Sequence, residues 1–224
     1  MLKFIALAMT ALLLAAGAQA SNHVLTYEIT ITNITKGQTF TPQLVATHDA
    51  SVRLFTLGQP ASPALEILAE GGDTQPLTDA LLNLGANPQT IGGLLGPGET
   101  ATVYVEAHPR ELLSFAAMLI PTNDTFAALD RIPLPSHGTS RHIALAYDAG
   151  TEANDQNCAN IPGPRCMGEG FSGGPQDGDE GYVHVGNGFH ELGADDGAGN
   201  DVLGPLTYDW RNPVAQVTVR RLPR

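Results

Sequence analysis

Apolar and polar positions alternate in the first part of the chain with a period of two. Leu25, Tyr27, Ile29 and Ile31 interleave with Thr26, Glu28, Thr30 and Thr32, which predicts a half-buried strand over 24–33. The same alternation runs through Thr100 to Ala107 (TATVYVEA) and through Ala215 to Leu222, where Val217 and Val219 oppose Thr218 and Arg220. Phe40 to Thr47, Leu112 to Ile120, His142 to Tyr147 and Gly181 to Gly186 are further runs of strand length. Ser51 to Gly58 carries a weaker pattern and stops at Gly58-Gln59-Pro60. Two stretches read as short helices. Ala61 to Ala69 has Ser62 as cap, Pro63 at its first position, Glu66 near capping-box spacing and Gly71-Gly72 as its stop. Thr78 to Leu84 precedes Gly85. Many strands parted by Gly and Pro turns, with little long helix and no internal repeat, predict an all-β, antiparallel β-sandwich with short helical insertions.

The first twenty residues do not fit this pattern. Lys3 supplies a positive start, Phe4 to Ala16 an apolar run, and Ala18-Gln19-Ala20 a small-x-small cleavage signal. The expectation is a bacterial secretory signal over 1–20 and a single mature domain over 21–224, periplasmic or secreted. No Cys follows the apolar run to take a lipid anchor, and the run is short of the roughly 20 apolar residues a membrane span needs. In an oxidising compartment Cys158 and Cys166 read as a disulfide closing a short loop, since the spacing is not C-x-x-C and no other Cys completes a zinc set. A formal charge of −12, from 23 acids against 11 basic residues, argues against a nucleic-acid partner. Between Asp155 and Asp201 glycine is dense and strand formers are sparse, so long loops around one strand are expected there.

The acids that change the picture lie between Met118 and Asn154. Asp124 and Asp130 are expected in one loop after Leu112 to Ile120, and Asp148 and Glu152 in another after His142 to Tyr147. Two neighbouring strands ending at one edge would bring these loops together. Asp148-Ala149-Gly150-Thr151-Glu152 sets two carboxylates around a glycine, so a tight turn can fold both towards one point. Calcium takes several hard oxygen ligands at once, which such loops can supply. Spacing alone favours acids that cap turns and face solvent.

The segments PTNDTFAALD and AYDAGTE resemble the core of the spondin amino-terminal domain, in which a Pro-x-x-Asp-aromatic segment precedes Asp-Ala-Gly-Thr-acid. NPVAQVTVRRL, from Asn212 to Leu222, is similar to that domain's last strand, so the resemblance spans roughly Tyr27 to Leu222. It implies a sandwich of the calcium-dependent lipid-binding type with calcium held by loop acids at one end. By position the ligands would be Asp124, Asp148 and Glu152. Animal members usually carry Trp after the first Asp, where this chain has Thr125 and then Phe126, and tend to have Asp in place of Glu152. The resemblance implies an adhesion or recognition module whose partner is a surface protein, a glycan or an acidic matrix component.

A second candidate metal set is His184 and His190, with Glu191, Asp195 and Asp196 nearby. The two histidines flank Gly186-Asn187-Gly188, a hairpin-like turn, and imidazoles beside carboxylates suit zinc or copper. The alternative function is therefore a periplasmic transition-metal-handling protein. A hydrolase is the remaining class, because Ser114, Ser136, Ser140 and Ser172 accompany seven histidines. None lies in a G-x-S-x-G elbow, no phosphate-cradling or dinucleotide fingerprint is present, and no catalysis is expected. Trp210, just before the last strand, is expected to pack in the core.

Overall fold

The computed structural model describes residues 23–174, 177–189 and 201–223. The signal-peptide expectation over 1–20, and His190, Glu191, Asp195 and Asp196, lie outside the described residues.

β1 (Leu25–Asn33) buries Leu25, Tyr27, Ile29 and Ile31 and turns its threonines outward, as the alternation requires. It pairs antiparallel with β5 (Thr100–Ala107) on one side and β10 (Ala215–Arg221) on the other. The remaining strands are β2 (Thr39–Phe40), β3 (Gln43–His48), β4 (Asn87–Ile91), β6 (Leu112–Ile120), β7 (Thr125–Pro133), β8 (Thr139–Asp148) and β9 (His184–Val185). Their order is β4-β3-β6-β7-β8-β10-β1-β5, with β2 beside β6 and β9 beside β8, and every pairing is antiparallel. The two ends of this path meet, since Thr47 Oγ1 and Asn87 Nδ2 both donate to the carbonyl of Glu106 in β5. The sheet therefore folds back on itself into a sandwich close to a flattened barrel.

Between the layers lies the main core, with Ile29, Ile31, Phe40, Phe115, Leu119, Val217 and Val219 at its centre. A second core covers the outer face of β3, β6 and β7. It is roofed by α1 (Pro63–Gly71) and α2 (Gln75–Asn83) through Leu65, Leu68, Leu77 and Leu81. β6 is thus buried on both faces, which is why LLSFAAMLI shows no alternation. α1 follows the expected caps. Ser62 Oγ accepts from the Leu65 N–H at 3.2 Å, and Gly72 closes the helix at φ 70°. Trp210 is buried and meets Phe189 edge-on at 5.6 Å. No helix among the described residues is long and apolar enough to cross a membrane.

Five expectations are corrected. Asp130 does not sit in a loop, because Thr125 to Pro133 forms β7; Phe126, Ala127 and Ala128 are buried between the two cores, and that burial outweighs the loop-like reading. β6 and β8 are consequently not neighbours but flank β7. Phe40 to Thr47 is two strands, broken at Pro42, which has no N–H for a ladder. β4 was not foreseen; its Pro88 is tolerated because the strand lies at the edge of the sheet. The Gly181 to Gly186 strand contracts to two residues, His184 and Val185.

Candidate metal centre

The end of β6, the start of β7 and the end of β8 lie at one end of the sandwich. Register sets this: Thr125 pairs with Asp148, and Asp148 pairs with His184 on its other side. Between β6 and β7, Thr122 Oγ1 donates to the Leu119 carbonyl at 2.6 Å and accepts from the Thr125 N–H at 3.2 Å. The turn so closed points Asp124 inward, where it is fully buried. Its Oδ2 accepts from the Thr151 and Glu152 N–H groups at 2.7 and 3.1 Å and from Thr151 Oγ1 at 3.3 Å. Its Oδ1 has no hydrogen-bond partner.

Asp148 ends β8 and is also buried. One oxygen accepts from the Gly150 N–H at 2.9 Å, and the other from Asn154 Nδ2 at 2.9 Å. Gly150 lets the chain reverse immediately, at φ 67°, and a Cβ there would lie 2.3 Å from the Tyr182 carbonyl oxygen. The glycine of DAGTE is therefore required twice, by dihedral and by packing. The reversal brings Glu152 back beside Asp124 with its side chain buried and its Oε2 unpartnered.

Burial, and secondarily Asp148, holds the Asp124 carboxyl well above the usual range. Asp148 is raised by burial as well, against the opposing effects of its Asn154 bond and of His184. Glu152 is pushed up to about 8 by burial, with Glu70, Asp124, Asp155 and Glu169 adding repulsion in that order. No Lys or Arg ion-pairs with these three acids among the described residues, and His184 is the basic side chain beside them. Buried carboxylates without counter-charge and with orphaned oxygens are costly unless something positive joins them. The donor set, all oxygen apart from one imidazole, fits a hard cation such as calcium.

His184 stands at the rim. Its Nε2 lies 3.3 Å from Asp148 Oδ1 and 3.8 Å from Glu180 Oε2, and its Nδ1 lies 3.1 Å from the Val185 carbonyl. Asp148, Glu180 and His184 offer ligand atoms within 4.8 Å of one another, the one such grouping of three among the described residues, and Asp124 and Glu152 are not part of it. Sequence reasoning singled out His184 but not Glu180, which stands four residues before it in a glycine-rich loop. It missed Asn154 and Glu70 too. Asp130, five residues along β7 from Thr125 and so roughly 16 Å away at strand rise, does other work. It accepts from the Leu54 N–H at 2.9 Å and pairs with Arg131. Cys158 and Cys166 form the expected disulfide, and Cys166 packs with Ile161 and Leu203 beneath the neighbouring loop.

The family model described as Spondin_N matches residues 26–157. The match runs from β1 past the end of β8 and takes in Asp124, Asp148 and Glu152. The similarity of Asn212 to Leu222 lies outside it; those residues place β10 between β8 and β1. No curated protein matches the chain.

Proposed function

The chain belongs to the spondin amino-terminal family, and from that premise we propose that it is an exported, calcium-binding recognition or adhesion module. Asp124, Asp148 and Glu152 hold the ion at one end of the sandwich. The observation that carries this reading is the unpartnered, buried oxygen on both Asp124 and Glu152, with no Lys or Arg ion-paired to either acid or to Asp148 among the described residues. Calcium would neutralise the acids, fix the two loops and present them to a partner whose own carboxylate, or a water, completes the ion's shell. A protein or glycan at a cell surface suits that chemistry. Acid-bearing loops gathered at one sandwich end also support the calcium-dependent lipid-binding type of sandwich, and no catalytic step is part of the proposal.

Thermal unfolding of the mature protein in EDTA, and then in millimolar calcium, tests it. A ligand at 100 times its Kd stabilises the folded state by about 2.7 kcal/mol, a shift of several degrees. Asp148→Ala should remove that shift, and a shift that survives would count against the ligand set.

A second reading has its own observation. The grouping of His184 with Asp148 and Glu180 supports a transition-metal site in place of calcium, since imidazole with carboxylates suits zinc or copper. In that case zinc alone would stabilise the protein, and His184→Ala would abolish the effect.

A further inference from the structure

The end of the sandwich opposite the acids has a different chemistry. β6 starts there at Leu112 and β7 ends there at Pro133, and these two residues pair across the sheet. A cavity of about 520 Å³ opens at this end, inside the range of roughly 300–1,000 Å³ usual for small-molecule sites. Its apolar wall includes Leu25, Tyr27, Leu112, Pro133 and Leu134. Arg110 and Arg221 line it with His23 and a single acid, Glu111, in a chain whose acids outnumber its basic residues 23 to 11.

Strand register carries Arg221 into this cavity. In β10 Ala215, Val217 and Val219 are buried on the core face, and Arg221 is the next position on that face. Its neighbour Arg220 points outward and pairs with Glu28 at 2.7 Å. Arg221 ion-pairs with no carboxylate among the described residues, and one of its N–H groups donates to the Ser136 carbonyl. Glu111 is engaged elsewhere, its Oε2 accepting from the His108 N–H at 2.8 Å. Directly across from Arg221 on β1 stands Tyr27. It is 2% exposed and lines the cavity, and its hydroxyl makes no hydrogen bond to a described residue. Burial pushes that hydroxyl above its usual range, and the Arg221 guanidinium opposes the shift. A buried phenol without a partner, facing an arginine without a counter-charge, is costly until an acceptor joins both.

We propose that this cavity binds a medium-chain fatty acid, its chain against Leu25, Leu112 and Leu134 and its carboxylate on Arg221 and the Tyr27 hydroxyl. A guanidinium holds a carboxylate through two parallel N–H bonds, and a phenol donates a third. Arg110, exposed at the mouth, adds attraction for an anion. The mostly apolar wall disfavours a sugar or a polyanion, whose many polar groups would lose water without gaining partners. This site shares no residue with the calcium site proposed at the other end.

Calorimetric titration of the wild-type chain over 21–224 with sodium decanoate in EDTA, with folding checked by circular dichroism, tests the proposal. One decanoate should bind per chain. Decanol lacks the charge and butyrate lacks the chain, and each should bind at least tenfold more weakly. Arg221→Gln should weaken decanoate at least tenfold and leave decanol unchanged. Tyr27→Phe keeps the ring in the core and should weaken decanoate severalfold, which provides a parallel measurement if Arg221→Gln does not fold. No binding of decanoate to the wild type, or decanoate binding unchanged in both variants, overturns the site. Decanol bound as tightly as decanoate overturns the role given to Arg221 and Tyr27.

Discussion

Glu152 is a residue through which pH acts on the fold. Its carboxyl moves from an ordinary value of 4.5 to about 8 in the folded chain, chiefly through burial. The folded, calcium-free protein therefore holds this proton more tightly than the unfolded chain does. The stability so gained is fully present below pH 4.5 and is lost as pH rises towards about 8. In the proposed site calcium would replace the proton, so the rise in Tm on adding calcium should be larger at pH 8 than at pH 6. An equal rise at both would remove Glu152 from the ligand set. Gly150→Ala is the second expectation at this scale. A positive φ and a carbonyl oxygen 2.3 Å from the new Cβ should cost about 1–3 kcal/mol in denaturant unfolding and weaken calcium binding along with it. Asp124, Asp148, Gly150 and Glu152 were legible in the sequence because they fall in two short motifs. Glu70 and Glu180 were not. Neither belongs to a motif in its own segment, and only the approach of α1 and β9 to the β7–β8 end of the sheet sets it beside Glu152 or Asp148.

Among the elements, legibility followed exposure. β1 and β5 each have one face towards water, so their alternation marked them to within a residue. β7 lies between two cores, and a run with both faces buried carries no period to read. Its Asp124-Thr125 start, flanked by Pro121 and Pro133, looked like loop for that reason. Phe126 is fully buried there and meets Phe55 edge-on at 5.4 Å. Phe126→Ala should cost about 3–5 kcal/mol in urea unfolding, whereas a loss below about 1 kcal/mol would mean that the helical roof is not packed as described. The loop between Cys158 and Cys166 packs through Ile161 and Cys166 against Leu203. Replacing both cysteines by serine should lower stability by about 2–3 kcal/mol, as expected for closing so short a loop.

At the scale of the whole molecule, the sandwich brings one end of β6, β7 and β8 together, and with it a concentration of acid in a chain of net charge −12. Composition indicated the surplus but not its location. Pairing of Thr125 with Asp148 and of Asp148 with His184 gathers residues far apart in sequence at one end of the sheet, and pairing at that distance leaves no local signature. The most direct test of calcium binding at this end is thermal unfolding of the wild-type chain over 21–224 and of Asp148→Ala, each in EDTA, in calcium and in zinc. Stabilisation of the wild type by calcium alone, lost in Asp148→Ala, is the predicted result. No response to calcium, or an equal response in the variant, would contradict the assignment of Asp124, Asp148 and Glu152 as its ligands.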